Sequence, residues 1–194
     1  MTIDRDMRCG WVGVVLIAIA VLGFVGLVLF GCGGVEDPPS VTGWGVGDTM
    51  IDEQVMGYLP AGGRCAGGVP GGALTSFAVS SGGACASTGW WVVFDGANAS
   101  AVAEAVSVKP PAGVEVVRVR FQGASGEPET PAGLAAWAKS AQPSGPVALD
   151  PSLKFGPYFP RPGPILHLVV DLQSLRILGA FDKATDAQLL FGGS

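Results

Sequence analysis

Cysteine is the side chain with the widest chemistry in this sequence, and there are four: Cys9, Cys32, Cys65 and Cys85. No two of them stand at the Cys-x-x-Cys spacing of a dithiol redox motif or of half a zinc site. Cys65 and Cys85 lie in stretches rich in Gly, Ala, Ser and Pro, which read as loops. In an oxidising compartment such an even pair is expected to close as a disulfide. A staple around a loop of about 20 residues is worth about 3 kcal/mol on the chain-entropy model. A redox-active pair, or two free or metal-linked thiols, are the alternatives. His167 is the single histidine. Set in the apolar run Ile165–Asp171, it reads as a satisfied core residue, with catalysis as the alternative, and no Ser or acid at a readable spacing completes a triad. With one histidine and no zinc spacing, neither a metal site nor a cofactor is expected. In Val-Glu-Val-Val-Arg-Val-Arg-Phe, Arg118 and Arg120 share one face of a strand. They read as a solvated face near a sheet edge, with an acidic ligand as the alternative.

The elements that must position these groups are organised around one stretch. Trp90–Phe94 is a continuous apolar run of the kind buried on both faces of a sheet. Asp95 and Gly96 end it, and Ala99–Val106 then offers helix formers, with Ala99, Val102, Ala103 and Val106 at helical spacing. Asn98 or Ser100 is expected to cap that helix. Upstream, Trp44–Ile51 and Val55–Leu59 suggest an edge strand or hairpin, Leu74–Val79 a short strand, and Ser80–Gly89 a loop. Downstream, Val114–Phe121 forms a second strand. Thr130 caps a helix with Pro131 at its first position. Val147–Leu149 is a short strand, and Phe155, Tyr158 and Phe159 cover the end of the core. Ile165–Asp171 is a buried strand with a hairpin partner to Phe181, and Thr185 is expected to cap a last helix through Leu190.

Residues 12–30 are uninterruptedly apolar, and Leu29-Phe30-Gly31-Cys32 follows. This resembles a bacterial lipoprotein signal, in which the Cys is lipidated and becomes the new N-terminus. An uncleaved membrane anchor is the alternative, because the run is long enough to cross a bilayer. The expected organisation is a signal or anchor over 1–31, a flexible tether over 32–43 and one domain over 44–194. The resemblance implies lipidation at Cys32, a membrane partner and a cell-envelope address. With no Asp after Cys32, it favours the outer membrane. A net charge of −5 with scattered bases argues against nucleic acid.

The order strand, helix, strand, helix, hairpin, helix resembles the thioredoxin fold, a three-layer α/β arrangement with a mixed sheet flanked by helices. Val46-Gly47-Asp48-Thr49 is similar to the opening of redoxin-type domains, and Val147-Ala148-Leu149-Asp150 to their short strand before a Phe-containing turn. Gly163-Pro164 ahead of Val169-Val170-Asp171 resembles the segment that carries the family's cis-proline. The resemblance therefore implies a cis Gly163–Pro164 bond beside the start of the Asn98 helix. It also implies an active-site corner at Ala97, Asn98, Ala101 and Pro164. Thioredoxin-like oxidoreductases place Cys-x-x-Cys there, because the helix start lowers a thiol pKa. Neither Asn98 nor Ala101 can form a thiolate, so the corner reads as degenerate. A small anion on the helix N–H groups is a further reading, opposed by Asp95. The expectation is a non-enzymatic envelope lipoprotein that binds a partner, such as another envelope protein. The alternatives are an atypical thiol–disulfide oxidoreductase using Cys65 and Cys85, and a structural envelope lipoprotein.

Overall fold

In the computed structural model, residues 45–192 are described. The apolar run, Cys9, Cys32 and the tether lie outside the described residues. Seven strands form one mixed sheet: β1 (Gln54–Tyr58), β2 (Thr75–Ala78), β3 (Thr88–Asp95), β4 (Val114–Gln122), β5 (Val147–Leu149), β6 (Ile165–Asp171) and β7 (Ile177–Phe181). Their order is β2-β1-β5-β4-β3-β6-β7. β3 runs parallel to β4, β4 parallel to β5, and β6 antiparallel to both β3 and β7. Among the described residues, three α-helices complete the fold: α1 (Ala99–Ser107), α2 (Pro131–Ala141) and α3 (Ala184–Leu189).

The β4-β3-β6-β7 set, with α1 crossing from β3 to β4 and α3 following β7, is the arrangement of the thioredoxin-like fold, here extended by β5 and the β1–β2 hairpin. Strands β3, β4 and β5 step across the sheet in one direction, so successive crossovers of one hand must lay α1 and α2 on the same face. Packing agrees. Trp90, Val92 and Phe94 meet Ala101 and Ala105 of α1 and Ala187 of α3. Val147 and Leu149 meet Leu134 and Ala138 of α2, and Trp137 joins the two groups. On the opposite face, Trp91, Val93, Val117, Val119 and Leu168 pack under Met50, Phe155 and Tyr158. This third layer is made of the N-terminal segment, the loop after β5 and the 3-10 turns Val79–Ala84 and Gly156–Tyr158. Phe155 stacks on Trp91 with ring centroids 5.3 Å apart. Asp150 holds that loop in place by accepting from the backbone N–H groups of Lys154 and Phe155.

Local chemistry explains the helix starts. The Asn98 side chain accepts from the Ala101 N–H at 3.0 Å, and Thr130 accepts from the Gly133 N–H at 3.1 Å with Pro131 at the first helical position. The third cap differs from expectation: α3 begins at Ala184 after Lys183, and Thr185 lies inside it. A side chain from another element does the capping, because the Ala184 N–H donates to the Glu104 carboxylate of α1 at 2.7 Å. The buried stripe of α1 is also shifted, to Ala101 and Ala105 with Val108 just past its end, while Val106 is exposed. Two alanines facing the sheet let the helix sit close to β3.

The largest correction concerns β4. It is a central strand between β3 and β5, and its arginines are buried beneath the helices. Arg118 is fully buried: Nε donates to the Ala105 carbonyl at 2.7 Å, and its other nitrogens donate to the Val108 and Ser144 carbonyls. It thus satisfies carbonyls at the end of α1, a helix with no basic residue in its own last turn. Arg120, 4% exposed, pairs with the Glu129 carboxylate at 2.8 Å and lies over the Trp137 ring. Gly96 permits this approach, since a Cβ there would stand 2.1 Å from the Arg120 Nη2.

Candidate functional site

The corner expected to hold a site is formed where β3 turns into α1. The Asp95 N–H donates to the Pro164 carbonyl at 2.8 Å, which ties the β3 end to the loop before β6. Asn98, Ala101, Glu104, Arg161 and Pro164 line a cleft of about 320 Å³ there. Ala97 is exposed, Asn98 half-buried and Ala101 buried. Structure therefore brings Asn98, Ala101 and Pro164 together. The Gly163–Pro164 bond is trans, however, as is every peptide bond among the described residues, which corrects the cis expectation. Two helix-start N–H groups are already engaged, Ala97 by the Asp95 carboxylate at 2.8 Å and Ala101 by Asn98. The Asp95 charge at this corner opposes a small anion.

Behind this cleft runs a hydrogen-bonded chain that the sequence reading missed. Trp90 Nε1 donates to His167 Nδ1 at 3.2 Å, and His167 Nε2 stands 3.1 Å from Glu104 Oε1. Since Nδ1 accepts, Nε2 must carry the proton and donate to Glu104. The same carboxylate oxygen takes the Ala184 N–H, so one network joins β3, β6, α1 and α3. His167 is thereby a satisfied core residue, fully buried. Burial pushes its pKa below 6.5, against the pull of Glu104. Between that lowered pKa and 6.5 the unfolded chain binds more protons than the folded one, so this contribution is complete above about pH 6.5 and is lost as pH falls. Glu115 works in the opposite sense, because burial raises its carboxyl pKa. The clean measurement is therefore a difference. The stability gap between the native protein and His167→Gln, from urea unfolding, is expected to shrink between pH 7 and pH 5. A gap independent of pH would contradict this account.

The two cysteines lie at the other end of the sheet. Cys65 and Cys85 form a disulfide with Cα atoms 5.5 Å apart, within the usual range. It joins the β1–β2 loop to the end of the Val79–Ala84 turn, just ahead of β3. β3 itself, eight residues long, separates this end from the Asn98 corner by about 23 Å at 3.3 Å per residue. Both cysteines are exposed, yet their base is buried. Arg64 Nε donates to both oxygens of Glu115 at 2.8 Å, and its other nitrogens donate to the Ala78 and Val79 carbonyls and to Ser81 Oγ. The guanidinium also lies over Phe77 and Trp91, 5.3 and 5.2 Å from the ring centres. Among the described residues no group of three His, Cys, Asp or Glu could hold a metal ion. No described helix is long and apolar enough to cross a membrane.

No family model and no curated protein matches the chain. Among solved structures, it is similar to one described as a putative thiol:disulfide interchange protein DsbE from Chlorobium tepidum. That match has 15% identity and a TM-score of 0.46, covering 75% of this chain and 92% of the other. The fold stands on the strand order and helix placement above, independently of this likeness.

Proposed function

We propose that this chain is a membrane-tethered, extracytoplasmic thioredoxin-like binding module, lipidated at Cys32 and carried on the outer membrane. In this reading Cys65–Cys85 is a structural staple, and the residual binding corner is Asn98, Ala101 and Pro164. The observation that carries it is the length of β3 between the disulfide and that corner. A thiol at Cys85 has no access to the helix start that would lower its pKa, and the corner has no thiol of its own.

One observation favours a second reading, an atypical thiol–disulfide exchanger. Both cysteines are exposed, and exposed disulfides are the more labile ones. Thiol trapping with mass spectrometry across graded redox buffers separates the two. A staple is expected to stay closed until the poise falls below about −300 mV. Reversible opening above about −230 mV would establish exchange and overturn the binding-module reading. Membrane attachment is tested by the mass of the mature chain: a diacylglyceryl adduct at Cys32, absent from Cys32→Ala, is expected.

A further inference from the structure

A second and larger cleft lies between α1 and α2 at the carboxyl ends of β3 and β4. Its volume of about 670 Å³ falls in the range of small-molecule sites. Val102, Pro128, Ala136 and Trp137 give it an apolar lining, and Arg120 and Thr130 add polar groups. It is separate from the Asn98 corner, and it does not depend on whether the disulfide exchanges.

Two of its side chains carry donors without acceptors. Arg120 is 4% exposed and engages Glu129 through Nη1, but its Nε is buried with no hydrogen-bond partner. Trp137 Nε1, from the ring stacked against the same guanidinium, is likewise buried and unpartnered. Buried donors left unmet are costly and uncommon, and two residues that line one cleft each hold one that an acceptor could satisfy after a small side-chain movement. Charge decides what kind. Glu129 neutralises the guanidinium at 2.8 Å, the Asp95 carboxylate acts on it as well, and Glu127 stands on the cleft rim. An incoming carboxylate would meet three acids around one base. A neutral carbonyl adds no further negative charge beside Glu129, whose own buried Oε2 also lacks a hydrogen-bond partner, and can accept from the donors.

We propose that this cleft binds a neutral amide, such as a backbone segment of an apolar peptide, with its carbonyl accepting from Arg120 and Trp137 and its side chain among Val102, Pro128 and Ala136. Seating the carbonyl requires Trp137, half-buried, to swing its ring edge toward the cleft. That movement supplies the readout. In the ¹⁵N-labelled full chain, the Trp137 indole N–H signal is identified by its loss in Trp137→Phe. Titration with N-acetyl-leucinamide is expected to move that signal saturably, and N-acetyl-leucine, its carboxylate counterpart, to move it far less. Ala136→Trp fills the cleft from an exposed position away from the buried pair, and is expected to abolish the shift while leaving the other indole signals in place. No saturable shift, a shift that survives Ala136→Trp, or a stronger response to the carboxylate would each overturn the proposal. Thiol trapping reads none of these outcomes, so failure here is distinct from failure of the staple reading.

Discussion

Arg118→Ala is expected to cost roughly 4 kcal/mol of folding stability, measured by urea unfolding. The side chain is fully buried and holds three carbonyls: the buried Ala105 and Val108 at the end of α1, and Ser144 in the loop before β5, where it is part-buried. Each buried acceptor left unmet costs about 1–3 kcal/mol, and the cavity adds to that. Burial alone lowers the Arg118 pKa to about 10, so the guanidinium still carries its charge at neutral pH. Arg118→Lys is expected to recover less than half of the loss. A single ammonium cannot span three acceptors that the planar fork reaches from separate nitrogens. A loss below about 1 kcal/mol for the alanine variant would mean that water replaces the guanidinium without difficulty.

Glu115→Ala is expected to destabilise by about 3–5 kcal/mol, because it strands the Arg64 charge in a buried site. The double variant Arg64→Met/Glu115→Gln is expected to lose much less, since no unpaired charge remains and methionine can still pack on Phe77 and Trp91. The pair also connects to the disulfide through the adjacent position of Arg64 and Cys65. Cys65→Ser/Cys85→Ser is expected to cost about 3 kcal/mol on the chain-entropy model. Combined with Glu115→Ala, the losses should fail to add, because both release the same loop from the Val79–Ala84 turn. Full additivity would show that Arg64 anchors independently of the staple.

Much of the fold was legible because its signals are local. Trp90–Phe94 announces a central strand by an unbroken apolar run, and Asn98 and Thr130-Pro131 announce helix starts by side chains that reach their own first turns. The parity of Cys65 and Cys85 pointed to a disulfide for a comparably simple reason. What failed depended on particular side-chain partners distant in sequence. Alternating valine and arginine in β4 has the period of a half-solvated strand. The same period arises when helices cover that face and the arginines serve carbonyls and a carboxylate from other segments, and nothing near Arg118 foretells Ala105 or Ser144. Thr185 had the right chemistry for a cap, but Glu104, eighty residues earlier, supplies it. The Trp90–His167–Glu104 chain escaped notice because the partners come from three elements. The cis-proline expectation came from resemblance alone, and the chain reaches the Asn98 corner with a trans bond.

The segment ahead of β1 has a mechanical consequence. Gly47 N–H donates to the Ile177 carbonyl, Ile177 N–H to the Asp48 carbonyl, and Met50 N–H to the Leu175 carbonyl. The chain thus pairs with the first residue of β7 and with the two residues that lead into it. Any pull transmitted through residue 45 loads these three bonds before it reaches the β6–β7 ladder. Breaking them would free the segment ahead of β1 and uncover the start of β7 at Ile177, with the β6–β7 pairing untouched.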